Sequence, residues 1–325
     1  MFFGPRETTK SKGAILAEEI ALAEGKVLEK GTVLGPQEIA QLTMANIKDI
    51  TVAALEGHDV DASTAALKIA QAMVPHLDDA LVRIVVGPRG RVSLVANLAG
   101  VVGIDTAALM QMNMVEGVIS IVTVPQLYRV AKGDEIAQVN ILSYGVKRSS
   151  MGRVIAEAHD VIYVRGAIAR TASLVQTVVQ GAPDPKGEAA IRMRLDRLGV
   201  KLIQSTLVSH SMQALAEAII EVEGDVLLIM TATPTQDIKD IAPRAIVAAG
   251  GVMTRLGLPA APWPHFFAGG LGAVPILGLP DCMRDPDHCG ADLVLERLIC
   301  GVPITDEDIA RLSIGGLVAT RSGAA

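Results

Sequence analysis

Residues 225–251, DVLLIMTATPTQDIKDIAPRAIVAAGG, decide the fold. The opening run is apolar and strand-sized, and 240–249 carries apolar residues at helical spacing behind an aspartate. Between them lies the polar loop TATPTQDIKD (231–240). A buried strand that passes through a polar loop into a helix is part of a βαβ unit, and such strands belong to parallel sheets.

Working outward, the same texture continues on both sides. VIYVR (161–165) reads as a strand, followed by a helix near 171–180. The turn GAPDPKG (181–187) leads to a helix through Gly199, then strand 201–208 and helix 211–222. Downstream, VPILGLP (274–280) is a final strand before a helix at 290–300. Strands alternating with helices predict right-handed crossovers and a three-layer, mostly parallel α/β domain. Ligands of such sheets sit beyond the carboxyl ends of the strands. That rule selects two loops, 231–240 and GLPDCMRDPDHCG (278–290).

Before about residue 150 the pattern is β-rich. A helix opens at Pro36 with Ile39 and Leu42 on one face, and a strand follows at 50–54. Asp61 or Ser63 caps a helix through Ala66, Ile69, Ala70 and Met73. LVRIVV (81–86), RVSLVANLAGVV (91–102), VISIVTV (118–124) and EIAQVNILSYGV (135–146) are strand candidates, with a helix at 105–113 and a turn at GPRG (87–90). KRSSMG (147–152) marks the boundary, so an α+β module over 1–150 precedes the α/β domain over 151–325.

The 325 residues are half apolar, with four Phe, three Tyr and one Trp, so the core is aliphatic. A net charge of −6 without a basic run gives no nucleic-acid footprint. No apolar run reaches membrane length, and the first residues lack the apolar stretch of a signal peptide. Three cysteines, Cys282, Cys289 and Cys300, do not make a disulfide framework in a chain of this size. The expected setting is the cytoplasm, with no membrane partner.

The two selected loops hold the candidate chemistry. Cys282, His288 and Cys289 match no structural zinc spacing, so no metal site is expected there. The loop at 278–290 reads either as an anion site, with Arg284 and the helix start at 290 as donors, or as a solvated turn with an N-cap. Asp281, Asp285 and Asp287 oppose the first reading. In the other loop Asp240 reads first as a cap, Asp237 is free to position a metal ion or hydroxyl, and Thr231 and Thr233 end the strand. His210 reads as a cap or a structural hydrogen-bonding residue. There is no G-x-S-x-G, Walker A or G-x-G-x-x-G motif.

VLLIMTATPTQDIKDIAPRAIVAAGGVMTRLGLPAAP (226–262) followed by PILGLPDCMRDP (275–286) resembles the molybdopterin-binding (MoeA/MogA-like) family. VLEKGTVLGPQEIAQLTMANIKDITVAALEGHDV (27–60), GRVSLVANLAGVVGIDTAALMQMN (90–113) and ARLSIGGLVA (310–319) are similar to it as well. The resemblance implies an α/β domain that binds molybdopterin, or adenylylated molybdopterin, at its strand ends and serves molybdenum cofactor biosynthesis. Members activate molybdopterin with adenylate, insert molybdate or hand the cofactor on, as molybdenumtransferase-like or adenylyltransferase-like transferases. Asp237 and Asp240 match the family's acidic pair, with molybdate or Mg2+ at Asp237. Gly257 and Pro259 match a G-x-P step. Gly278, Pro280, Cys282, Arg284 and Pro286 match a P-G-C-A-R-S-P loop. Homo-oligomerisation and a recipient molybdoenzyme follow from the same likeness.

The sequence departs from that pattern at several points. Thr231-Ala232-Thr233-Pro234 stands where the family has glycine and small residues, and Pro234 removes an amide donor. Asp281 replaces the glycine of P-G-C, and Asp285 replaces the serine. Each carboxylate near a phosphate costs on the order of 1 kcal/mol at a surface-like dielectric. Two further readings therefore stand beside the first: a non-catalytic carrier or assembly partner for a molybdoenzyme, and a pocket recruited for another small ligand with Trp263, His265 and Phe266 as a wall.

Overall fold

The run Val226–Met230 is buried at every position, as a strand covered on both faces must be. The structure, a computed structural model, describes residues 1–180, 185–261 and 264–314, apart from the side chains of Glu24 and Pro185. The chain forms two compact units, Met1–Leu98 with Val102–Val164, and Ala99–Val101 with Arg165 onward.

In the first unit β1 (Phe2–Glu7), β2 (Ile15–Leu16), β3 (Ile20–Ala21), β4 (Val27–Leu28), α1 (Pro36–Met44) and β5 (Asp49–Ala54) come first. Strand β5 pairs antiparallel with β1 and β2 over a small core of Leu16, Leu34, Leu42, Ile50 and Val52. Then follow β6 (Asp59–Asp61), α2 (Ala62–Met73), β7 (Val82–Val86), β8 (Arg91–Ala96), β9 (Gly100–Ile104), α3 (Thr106–Met114), β10 (Ile119–Thr123), β11 (Arg129–Val130), β12 (Glu135–Ile141), β13 (Gly145–Lys147), α4 (Arg148–Ala156) and β14 (Ile162–Gly166), of which Gly100 and Val101 of β9 and Arg165 and Gly166 of β14 count with the second unit. An antiparallel sheet of order β10-β12-β8-β7 shares a core with α2 through Ala66, Ile69, Ala70 and Met73. Asp61 caps α2 by accepting from the Thr64 amide at 2.9 Å, and Asp105 caps α3 by accepting from Ala107 and Ala108 at 3.0 Å each. Residues 147–152, where the sequence placed a boundary, are the end of β13 and the start of α4.

The second unit contains β15 (Thr171–Val178), α5 (Pro185–Asp196), β16 (Lys201–Ser209), α6 (Met212–Ile220), β17 (Val226–Met230), α7 (Ile241–Ala248), β18 (Val252–Leu256), β19 (Phe267–Leu271), β20 (Val274–Gly278), α8 (Gly290–Ile299) and α9 (Asp306–Arg311). One six-stranded sheet runs β16-β15-β17-β20-β19-β18. Its first three pairings are parallel and the last two antiparallel, so the fold is mixed α/β with a mostly parallel sheet. Leu215 and Ile219 of α6 and Ala245 and Ile246 of α7 share a core with Val175, Leu227, Ile229 and Ile276 of the sheet.

Two readings change here. Residues 171–178 form a strand, not a helix: Ala172–Thr177 are all buried between neighbours β16 and β17, so no surface alternation marks them. The segments 252–256 and 267–271, to which the sequence reading assigned no element, are an antiparallel pair extending the sheet. Of the turn 181–187, residues 181–184 lie outside the described residues, as does the end of ARLSIGGLVA from 315.

Candidate functional site

The carboxyl ends of β15, β17 and β20 bring Gln176, Thr231 and Pro280 to one edge of the parallel part of the sheet. Here the loop after β17 meets the loop after β20. Residues Asp281–Arg284 of the latter form a 3-10 turn beginning behind Pro280. Arg284 is the tie. Its Nη2 donates to the Thr231 carbonyl at 2.9 Å, and its Nε donates to Asp281 Oδ1 at 3.2 Å. The side chain stays about a quarter exposed, at 24%. A Cβ on Gly187, in the first turn of α5, would stand 3.4 Å from Arg284 Nη1 and 3.6 Å from Gln176 Oε1. Gln176 is 5% exposed, and among the described residues its Oε1 is buried without a hydrogen-bond partner. An unfilled acceptor in that position costs free energy until something donates to it.

A second arginine builds the loop. Arg194 of α5 is 4% exposed, and its Nε donates to Asp292 Oδ1 of α8 at 2.6 Å. Nη1 donates to the carbonyls of Ala190, Met283 and Asp285, and Nη2 to that of Asp287 at 2.6 Å. Asp292 Oδ2 in turn accepts from the Cys289 amide at 2.7 Å. Thus Asp285 and Asp287 shape the turn with their backbone oxygens, while the residues themselves are exposed. Nothing in the sequence distinguishes Arg194 from Arg192 of the same helix. Its role exists only once α5, the loop and α8 meet.

The acidic loop is held from within. Asp237 Oδ1 accepts from the Lys239 amide at 2.7 Å, and Asp240 Oδ2 accepts from the amides of Gln236 and Asp237 at 2.8 and 3.3 Å. Asp240 occupies the N-cap position of α7, yet its side chain makes no cap bond to the helix. Thr231 is buried, whereas Thr233 is exposed and its Oγ1 lies 3.0 Å from His210 Nε2. Thr177 Oγ1 accepts from the Ala232 amide and lies 2.8 Å from His210 Nδ1. The two ring nitrogens of His210 thus lie within hydrogen-bond distance of the hydroxyls of Thr177 and Thr233. His210 is the structural hydrogen-bonding residue the sequence pointed to.

The remaining candidates are framework positions. Gly257 adopts φ +87°, a left-handed value suited to glycine, and donates to the Phe266 carbonyl at 2.7 Å. Pro259 is exposed nearby. Gly278 pairs with Phe267 across the strands, and a Cβ there would run into the phenyl ring. Phe266 is fully buried and serves packing, while Trp263 lies outside the described residues.

Cys282 Sγ and Cys289 Sγ are 2.7 Å apart. The hydrogen bond from Cys282 holds the Cys289 thiol below the usual thiol value against the opposing effect of burial. The same bond, and then burial, push Cys282 up. Burial pushes the Cys300 thiol up to about 11.

His288 lies 3.6 Å from Glu296 Oε1, and this contact raises its pKa against partial desolvation. A raised folded pKa means the protonated ring stabilises the fold. That contribution is complete below the unfolded value of about 6.5 and is lost as pH rises through the folded one. Thermal melts between about pH 5.5 and 8.5 should show His288→Gln removing part of the wild-type decline on the alkaline side. An unchanged slope would mean that the pair contributes nothing to folding.

A cavity of about 530 Å³ in the same unit lies at the opposite, amino ends of β17 and β20, beside Asp225, Val226 and Pro275. The Asp225 carboxylate there accepts from the Arg170 and Thr171 amides at 2.7 and 2.9 Å, so it anchors strands. Among the described residues no helix is long and apolar enough to cross a membrane.

No family model and no curated protein matches the chain. Among solved structures it is similar to a molybdopterin biosynthesis MoeA protein from Pyrococcus horikosii, at 11% identity over 95% of this chain and 76% of that one, with TM-score 0.30. It is also similar to a molybdopterin biosynthesis Mog protein from Mycobacterium ulcerans, at 18% identity over 40% and 93% of the two chains, with TM-score 0.30. A molybdenum cofactor biosynthesis protein from Pyrococcus furiosus aligns at 11% identity over 92% and 61%, with TM-score 0.24.

Proposed function

We propose that this chain binds molybdopterin, free or adenylylated, and works in molybdenum cofactor biosynthesis. The support is the resemblance of its two loops, and one observation carries it: Gln176 Oε1, buried and without a partner among the described residues, near Arg284 at the parallel strand ends. A pterin offers ring N–H donors that an amide oxygen can accept, and its phosphate suits a guanidinium with donors to spare. The first turn of α5 adds a positive dipole end on the same side.

Within that role we favour carriage and hand-over above molybdate insertion. The carboxylates of Asp237 and Asp240 already accept from amides of their own loop. They brace the loop, which leaves less for Mg2+ or molybdate. Adding either ion should leave the affinity for molybdopterin unchanged.

The test is a titration of the full chain with molybdopterin, adenylylated molybdopterin and inorganic phosphate. Wild type should bind the pterins at micromolar Kd or tighter. Arg284→Ala should lose about tenfold or more, roughly 1.4 kcal/mol. Gln176→Leu should weaken pterin binding while leaving any phosphate binding intact. If neither pterin binds a protein whose circular dichroism is native, the proposal fails.

A further inference from the structure

Two sulfurs in this region supply none of the ligand contacts argued for in the proposed binding role. Cys282 sits in the 3-10 turn after β20 and Cys289 is the N-cap of α8. Both are free thiols, and their sulfurs are 2.7 Å apart, closer than unbonded sulfurs pack. Cys282 is half-buried and Cys289 is 3% exposed. The fully buried Met283 brings its Sδ to 3.5 Å from Cys289 Sγ. The third thiol, Cys300, is at the far end of α8, roughly 16 Å along the helix axis at 1.5 Å per residue. It is not a competitor for either sulfur. Among the described residues the one group of three or more His, Cys, Asp or Glu ligand atoms is Glu56, His58 and Asp59, so no metal-binding set forms at the two sulfurs.

We infer that Cys282 and Cys289 are a dithiol redox site, oxidised by a hydroperoxide to a reversible disulfide that pins the 281–289 segment carrying Arg284. The site rests on sulfur geometry and not on the identity of the bound cofactor. Cys289 is the attacking sulfur. It stands at a helix N-terminus and accepts the hydrogen bond from Cys282, and that bond together with the Arg194 guanidinium favours its thiolate. The opposing groups that face it are Asp292 and the apolar surroundings.

The Cys289 thiolate attacks the terminal oxygen of the hydroperoxide. The O–O bond breaks, the leaving alkoxide or hydroxide takes up a proton, and Cys289 becomes a sulfenic acid. The Cys282 sulfur then attacks the Cys289 sulfur, the S–O bond breaks, and water leaves with the Cys282 proton. In sum two thiols and one hydroperoxide give one disulfide, water and the corresponding alcohol, or a second water from hydrogen peroxide. A small dithiol reverses the change. Arg284 lies two residues from Cys282, so closure of the ring restrains the guanidinium that ties the two loops.

The experiment uses reduced full-length protein, hydrogen peroxide, and then alkylation with mass analysis and peptide mapping. Of three thiols, wild type should lose two, joined as Cys282–Cys289, and dithiothreitol should restore them. Cys282→Ser should stop at a sulfenic acid on Cys289 that dimedone captures. Cys289→Ser retains a good N-cap residue and hence the helix, and its remaining thiols should react about tenfold slower or less readily still. Hydrogen exchange over 281–289 should slow in the oxidised protein. Three thiols surviving peroxide, a disulfide that includes Cys300, or sulfenic acid first on Cys282 would each overturn the inference.

Discussion

Arg194→Met should cost about 3–5 kcal/mol, the range for removing one partner of a buried ion pair. The methionine fills much of the volume but donates nothing. Asp292, 2% exposed, is left as an uncompensated buried charge, and the carbonyls of Met283, Asp285 and Asp287 lose their donor together. Urea unfolding should show the loss, and hydrogen exchange should show where it begins: amides of 283–289 open before those of β15 and β17. Arg194→Met with Asp292→Leu should recover part of the stability, because no unpaired charge remains. The loop carbonyls and the Cys289 amide would still lack partners, so exchange over 283–289 should stay fast. If Arg194→Met unfolds like wild type, the guanidinium is not the brace of this loop. Ligand affinity is expected to fall with the loop, since Arg284 hangs from the same turn.

That brace explains why so much of the candidate site was hidden in the sequence. VLLIM and VPILG announced themselves as strands because short β-branched and aliphatic runs ended at polar loops. Asp61, one of two cap candidates with Ser63, marked its helix because a cap needs only local geometry. TASLVQTV failed because a strand buried on both faces shows no period of two, and periodicity alone does not separate it from a buried helix. FAGGL was passed over for another reason: glycines carry no alternation, and the strand is defined by its antiparallel partners. The loops at 231–240 and 278–290 were selected from topology, since ligands of parallel sheets gather at carboxyl ends. Gln176 and Gly187 were not found, because each matters only through a neighbour that arrives from elsewhere in the chain. The acidic residues were selected from the sequence, but their occupation by loop amides is a tertiary fact.

Gly278 tests the difference between a residue that belongs to a ligand loop and one that the sheet itself requires. It closes β20 and pairs directly with Phe267 of β19, whose ring lies over it. Aromatic rings are well placed to cover a cross-strand glycine, shielding its backbone and filling the absent side chain. Phe267 is 1% exposed, so the ring has no solvent side into which to retreat. Gly278→Ala should therefore cost about 1–3 kcal/mol as an overpacking change, and Gly278→Val more. Shrinking the partner should relieve it: in a Phe267→Leu background the added cost of Gly278→Ala should shrink, giving a favourable coupling in a double-mutant cycle. Pterin affinity, measured on the folded fraction, should change far less than it does for Arg284→Ala. The opposite pattern, full stability with affinity lost, would mean that the backbone at Gly278 approaches the ligand and that the ring has room to move.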